Sequence, residues 1–216
     1  IMVGHSLGEY TALACSSKLS IKDCSLVLQK RGELMNSAVE PNTSGMAAII
    51  GVDDTTINQI INENNINLEI ANDNSPSQIV VSGDIKEIKR CKDIFLNNNI
   101  KRYVILNVSS AFHSKYMMEA EKKLADEIDK LNFMSNEIKI ISNFTAQCSN
   151  DNLIIKNSLQ KQMSNKVRWT ESIKKLEELG ESKIIEIGPG KVLSGLIKRI
   201  SNKFDIKSIN NINDLS

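Results

Sequence analysis

Gly4-His5-Ser6-Leu7-Gly8 fits G-x-S-x-G and lies between the apolar run Ile1-Met2-Val3 and a stretch of small, helix-compatible residues from Glu9 to Ser17. A serine on such a strand-to-helix turn is lifted out on a strained backbone, where its hydroxyl can attack a carbonyl carbon. The flanking glycines let the chain turn sharply. The Leu7 N–H, at the helix start, can donate to the oxyanion that the attack creates. A serine hydroxyl also needs a base, and the chain holds two histidines, His5 and His113. Adjacent residues at a strand end point to opposite faces, which turns His5 away from the Ser6 hydroxyl and leaves His113. His113 stands just before Ser114, a candidate helix cap, and a helix N-terminus disfavours the imidazolium and keeps the ring neutral. Taken without Ser6, it would read as a surface loop histidine.

Arg31 is the third residue of chemical interest. Ser20 with Asp23 three residues on makes a capping-box start for a helix running to about Ala38. Ile21, Cys24, Leu28, Met35 and Ala38 recur on one face of it, and Arg31 falls on that apolar stripe. A guanidinium facing inward needs an anionic partner. It can pair with an acid of the protein, snorkel to the surface, or clamp a substrate carboxylate with two parallel hydrogen bonds.

The elements that position these residues read as α/β. From Met46 the apolar spacing gives strand, helix, strand, strand, helix, strand, ending near Val108. That βαββαβ order is ferredoxin-like. We expect it to be a subdomain, residues 44–109, inserted into a hydrolase-like parallel-sheet body made of 1–43 and 110–216, with the body's first strands missing. The body resumes with the loop Ala111-Phe112-His113, a helix from about Ser114 to Leu131 and a strand around Ile138 to Ile141. Helices near 153–163 and 170–179, the strand Lys183 to Ile187, the turn Gly188-Pro189-Gly190 and a helix to about Ile200 follow. A polar, Asn-rich tail closes the chain.

Bulk properties exclude several classes. The chain has 216 residues, 41% hydrophobic and 25% charged, enough to bury a core, and its net charge of +1 gives no reason to expect nucleic acid as partner. No apolar run is long enough to cross a membrane. The four cysteines form no C-x-x-C pair and read as reduced thiols, and with two histidines a metal site has no support. The chain opens at Ile1 inside a strand-like run, which reads as an N-terminal truncation. Cytoplasm is the default location, and an organellar leader is left open.

In content and order these pieces resemble the malonyl-CoA:acyl-carrier-protein transacylase family. Gly4-His5-Ser6-Leu7-Gly8-Glu9-Tyr10 resembles its nucleophile motif, Gln29-Lys30-Arg31-Gly32 with Met35 its arginine helix, and Ala111-Phe112-His113-Ser114 with Met117 its histidine motif. Asn74-Ser75-Pro76-Ser77-Gln78, Gln162 with Val167-Arg168-Trp169, and Glu186-Ile187-Gly188-Pro189-Gly190-Lys191-Val192-Leu193 are similar to further signatures.

The resemblance implies Ser6 as nucleophile, His113 as general acid and base, Arg31 as clamp on a malonyl carboxylate and Leu7 N–H as oxyanion donor. It implies that the Gln162 region orients His113 through a main-chain carbonyl, and that Phe112 before the histidine goes with malonyl in preference to methylmalonyl. It implies malonyl-CoA as substrate, no cofactor, and an acidic acyl carrier protein as partner of a monomeric enzyme in fatty acid biosynthesis. Lys115, Lys166, Arg168, Lys191 and Arg199 are then docking candidates. Two departures stand out: the family's glutamine motif near its N-terminus is absent, and Lys166 stands where the family has proline.

Two rival readings remain open. A thioesterase or esterase of α/β-hydrolase type shares G-x-S-x-G but needs an acid between serine and histidine in chain order, for which Asp73, Asp84 and Asp93 are available. An inactive truncated copy would keep the motifs without the chemistry.

Overall fold

In the computed structural model, which describes residues 1–98 and 100–215, the apolar run at the N-terminus forms β1 (Met2–Val3). It is followed by α1 (Leu7–Cys15) and α2 (Ile21–Asn36). The Ser20 hydroxyl accepts from Asp23 N at 3.0 Å and starts α2 as the capping pattern predicts. Tyr10 and Leu13 of α1 and Cys24, Val27 and Met35 of α2 pack into one core with α5 (Met118–Asp129) and α6 (Asn152–Gln160).

The central segment forms β2 (Ser44–Ile50), α3 (Asp54–Glu63), β3 (Leu68–Ser75), β4 (Gln78–Asp84), α4 (Ile85–Asn97) and β5 (Arg102–Ile105). Its strands lie in the order β5-β2-β4-β3, each antiparallel to its neighbour, which is the ferredoxin-like arrangement. The segment has a core of its own. Ile49, Ile57, Ile79, Ile88 and Phe95 are fully buried in it. At about 1.5–3 kcal/mol each, these five alone contribute on the order of 10 kcal/mol of hydrophobic stabilisation.

The rest of the chain is a body of shorter strands under helices. β1 runs parallel to β6 (Ile140–Ile141), and β7 (Cys148–Ser149) runs antiparallel to β6. After β8 (Val167–Arg168) and α7 (Trp169–Glu178), β9 (Lys183–Ile187) leads to α8 (Val192–Ile200) and β10 (Asp205–Ile209), which pairs with β9 in parallel. Trp169 and Ile173 of α7 and Leu196 and Ile197 of α8 form a third core against Ile141 and Val167.

Three strands depart from the sequence expectation. β7 and β8 are two residues each, and β10 lies in the segment expected to be a polar tail. β8 adds to the free edge of β3, so the ferredoxin-like sheet gains a strand from beyond its own segment. The helix expected from Ser114 begins as a 3-10 turn at Lys115–Met117, with α5 following it.

Candidate active site

Ser6 is the residue before α1, and its backbone sits at φ 52°, ψ −105°, outside the regions an L-residue ordinarily adopts. Such a conformation costs on the order of 1–3 kcal/mol and persists only where the surroundings enforce it. Asn143 does much of the enforcing: its Oδ1 accepts from Ser6 N at 2.6 Å and its Nδ2 donates to Gly4 O at 2.7 Å. Gln162 Nε2 adds a hydrogen bond to Ser6 O at 2.9 Å. The two motif glycines are not equivalent. A Cβ on Gly4 would lie 2.0 Å from the Gly8 carbonyl, whereas a Cβ on Gly8 meets nothing within 4 Å. The close approach of strand to helix requires the first glycine, and the sharp turn itself is made by Ser6.

The Ser6 hydroxyl makes no capping bond. It faces His113 Nε2 at 2.8 Å and accepts from Arg31 Nη2 at 2.8 Å. His113 Nδ1 lies 3.0 Å from the main-chain carbonyl of Gln162, which can only accept, so that nitrogen carries the proton. Nε2 is left as the acceptor for the Ser6 hydroxyl proton. The ring is held by its loop. His113 takes φ 54°, and the carbonyls around it are tied down, Ser82 Oγ donating to Phe112 O at 2.6 Å and Ser114 Oγ to Ala111 O at 2.6 Å.

Burial keeps this histidine neutral. Enclosure pushes its pKa down to about 3, with the Arg31 charge second and the Gln162 carbonyl opposing both. The helix-terminus explanation expected from sequence does not hold: Ser114 forms no cap, and α5 starts only at Met118, beyond a 3-10 turn. Arg31 is 6% exposed, pairs with no protein carboxylate among the described residues, and has a buried Nε without a partner. Its Nη2 reaches Gln162 Oε1 at 3.2 Å, and its Cζ lies 5.6 Å from the Tyr10 ring centroid. Of the three options open in the sequence, internal pairing and snorkelling are absent.

Gln162 ties the site together. Its carbonyl meets His113, its Oε1 meets Arg31, and its Nε2 donates to Ser6 O and to Glu9 Oε2, the latter at 2.7 Å. Sequence reasoning assigned no part to Glu9 or Asn143. Glu9 had a signal, the S-x-x-E spacing from Ser6. Asn143 had none, because one asparagine in an Asn-rich chain carries no pattern. His5 points away from the hydroxyl as expected, its Nε2 donating to Asn74 Oδ1 at 2.7 Å while its ring packs on Trp169.

Leu7, the first residue of α1, has an N–H that no helical carbonyl accepts. Phe112 is half-buried against the helical core and the face of β2 and β4. The acids considered for a hydrolase triad are elsewhere: Asp73 accepts from Thr170 Oγ1 at 2.6 Å and Asp84 caps α4, while Nδ1 of His113 is occupied by the carbonyl. Among the docking candidates, Lys115 pairs with Glu69, Lys166 with Asp54 and Arg168 with Glu171, whereas Arg199 meets the neutral Gln78. Among the described residues no group of three or more His, Cys, Asp or Glu side chains could hold a metal, and no helix is long and apolar enough to cross a membrane.

Comparison with known proteins finds relatives along nearly the whole chain. The acyl transferase domain family matches residues 1–213. The malonyl CoA-acyl carrier protein transacylase of Bacillus subtilis is 40% identical over 203 residues, covering 93% of this chain and 64% of the relative. The chain thus spans a little under two thirds of that relative's length. The crystal structure of an acyl carrier protein S-malonyltransferase from Vibrio cholerae superposes with a TM-score of 0.93 at 35% identity, over 99% of this chain and 70% of that one. A type II PKS acyl-carrier protein solved in complex with its malonyl-transacylase matches with a TM-score of 0.94 at 34% identity, over 100% of this chain and 70% of that one. With a serine, a histidine and an arginine meeting at one hydroxyl in the fold of these proteins, the chain belongs to the malonyl CoA-acyl carrier protein transacylase family of acyl transferase domains.

Proposed function

We propose that the protein moves a malonyl group from CoA to the phosphopantetheine thiol of an acyl carrier protein through a malonyl-Ser6 intermediate, in fatty acid biosynthesis. One observation carries the reading: Ser6 Oγ stands between His113 Nε2 and Arg31 Nη2, 2.8 Å from each. A neutral base on one side can take the hydroxyl proton. A guanidinium in no salt bridge with a protein carboxylate among the described residues, on the other side, can hold the carboxylate that distinguishes malonyl from acetyl.

In this reading Ser6 Oγ attacks the thioester carbonyl carbon as its proton passes to His113 Nε2, and the oxyanion is received by the Leu7 N–H. Collapse breaks the C–S bond, and His113 returns the proton to the departing CoA sulfur. In the second half the carrier's thiol gives its proton to His113 and attacks the serine ester. Ser6 then leaves with that proton restored. Each step is a proton transfer coupled to acyl exchange and calls for no cofactor. Phe112, beside His113, fits the malonyl preference. Lys191 and Arg199, which form no salt bridge among the described residues, are the stronger candidates for receiving an acidic carrier. We further assign 44–109 as an inserted subdomain and the enzyme as a cytoplasmic monomer.

Intact-mass analysis after brief exposure to malonyl-CoA, and separately to acetyl-CoA, tests the reading. A malonyl adduct that disappears in Ser6→Ala, with the preference over acetyl lost in Arg31→Ala, is the expected result. A folded protein that hydrolyses the thioester without passing the acyl group to a thiol would sink it in favour of an esterase.

A further inference from the structure

Glu9 is 1% exposed and touches neither the Ser6 hydroxyl nor His113. It stands three residues after the N-cap Ser6, the spacing of a capping box, in which a glutamate reaches back to the N–H of the cap residue. Neither half of that box forms. The Ser6 side chain makes no cap bond, and the Ser6 N–H goes to Asn143 Oδ1. The Glu9 carboxylate turns inward, where its Oε2 accepts from Gln162 Nε2 at 2.7 Å and from Asn143 N at 3.2 Å. Local helix capping therefore does not account for a buried carboxylate here.

Gln162 has an end-to-end ambiguity that its neighbours must remove. A side-chain amide has nearly the same shape when reversed, with donor and acceptor exchanged. In the observed sense its NH2 serves two acceptors, Ser6 O and Glu9 Oε2, and its oxygen accepts from Arg31. Reversed, it would press oxygen against both acceptors and NH2 against a guanidinium. Arg31 has a long side chain that a substrate carboxylate can draw away, and Ser6 O is a single neutral acceptor. Glu9 is the acceptor that is fully enclosed and able to carry charge. We infer that Glu9 is a positioning residue: it fixes the sense of the Gln162 amide, so that Oε1 stays aimed at Arg31 and Nε2 at the Ser6 carbonyl. The purpose of that aim, keeping the guanidinium over the incoming acyl group, rests on the malonyl-transfer reading; the geometry does not.

The test compares Glu9→Gln, Glu9→Met, Gln162→Met and the double variant Glu9→Met/Gln162→Met. Two readouts are followed: the rate of malonyl loading, and the rate of Ser6 labelling by a fluorophosphonate, which needs the serine and base but no malonyl group. Glu9→Gln keeps an oxygen able to accept both bonds and should stay within a few-fold of wild type. Glu9→Met should lose about ten- to hundredfold, the scale of a small misplacement of reacting groups. Because Glu9 acts through Gln162, the double variant should be no slower than Gln162→Met alone. Losses that multiply in the double variant, or a Glu9→Gln as slow as Glu9→Met, would overturn the assignment. If Glu9→Met does not fold, Glu9→Asp, which keeps the carboxyl group but withdraws the oxygen by one methylene, takes its place with the same expectation. Normal labelling without any malonyl adduct in wild type would remove the malonyl reading, and the Glu9 comparison is then decided by the labelling rates.

Discussion

Arg31 Nη2 and His113 Nε2 approach the Ser6 hydroxyl at the same distance, 2.8 Å, from two different parts of the chain. The arrangement gives the hydroxyl one acceptor for its proton and one charged donor for its oxygen. A carboxylate is a stronger partner for a guanidinium than a neutral hydroxyl is. The bound acyl group's charge should therefore draw Arg31 off the nucleophile and release a lone pair for attack.

Arg31→Ala removes charge-assisted hydrogen bonds worth about 1.5–3 kcal/mol each. We expect kcat/KM for malonyl-CoA to fall on the order of a hundredfold or more, with a much smaller change for acetyl-CoA. Arg31→Lys should restore little, since a lysine cannot present two parallel donors. Steady-state kinetics with both donors would show it, and equal losses for the two would assign Arg31 to the serine alone.

The low pKa of His113 sets the acid side of the pH profile. Burial holds the ring neutral down to about 3, so the base form is complete at pH 5 and above. The acid limb of kcat/KM should lie well below the ordinary histidine value of 6.5. A limb centred near 6.5 in the free enzyme would contradict a fully enclosed ring.

Stability carries a separate pH signature. Burial raises Glu9 from 4.5 to about 7 and lowers His113 from 6.5 to about 3. Between 4.5 and 6.5 the unfolded chain has His113 protonated and Glu9 ionised, while the folded chain has Glu9 protonated and His113 neutral. Each state binds one proton, so the pair contributes no slope. In Glu9→Gln only His113 remains, the unfolded state binds the extra proton, and stability should drop as pH falls below 6.5 by about 1.4 kcal/mol per unit more than in wild type. Urea unfolding at pH 5 and 6.5 measures this difference, and identical slopes would refute it.

The motif glycines should separate cleanly. Gly4→Ala drives a methyl into the Gly8 carbonyl, a backbone clash that cannot relax without moving α1. Gly8→Ala enters open space at the second position of the helix, where alanine is favoured over glycine by up to about 1 kcal/mol. Thermal unfolding should therefore show a large loss for Gly4→Ala and none for Gly8→Ala.

Ser82→Ala, in β4 of the ferredoxin-like segment, removes the donor to Phe112 O. Losing a hydrogen bond to this partly buried carbonyl costs about 1 kcal/mol. Because that carbonyl precedes His113, kcat should fall while the KM for malonyl-CoA holds. A fall in stability alone would mean that the loop keeps its shape without the bond.

Much of this was readable beforehand where a local rule governs. Arg31 stood out because α2 is periodic enough to define an inward face, and the Ser6 turn because strand, glycine and helix are contiguous. The ferredoxin-like segment was legible because each of its strands carries its own apolar run. β10 was not: Asp-Ile-Lys-Ser-Ile alternates like a surface stretch and becomes a strand through its pairing with β9. β8 is two residues long and owes its existence to the β3 edge. The partner of His113 left no trace in residue types, since any residue supplies a carbonyl. The resemblance to a family suggested it where spacing could not.

That last feature bears on how the protein can vary. The group holding His113 in its working tautomer is the peptide oxygen of Gln162, present whichever amino acid occupies the position. A saturation scan at position 162 would report the amide's dealings with Arg31, Ser6 and Glu9 and stay silent about the histidine. The orientation of the base is thus shielded from point substitution at its own contact. It is exposed only to changes that shift the path of the main chain, such as proline insertion or loop shortening between α6 and β8.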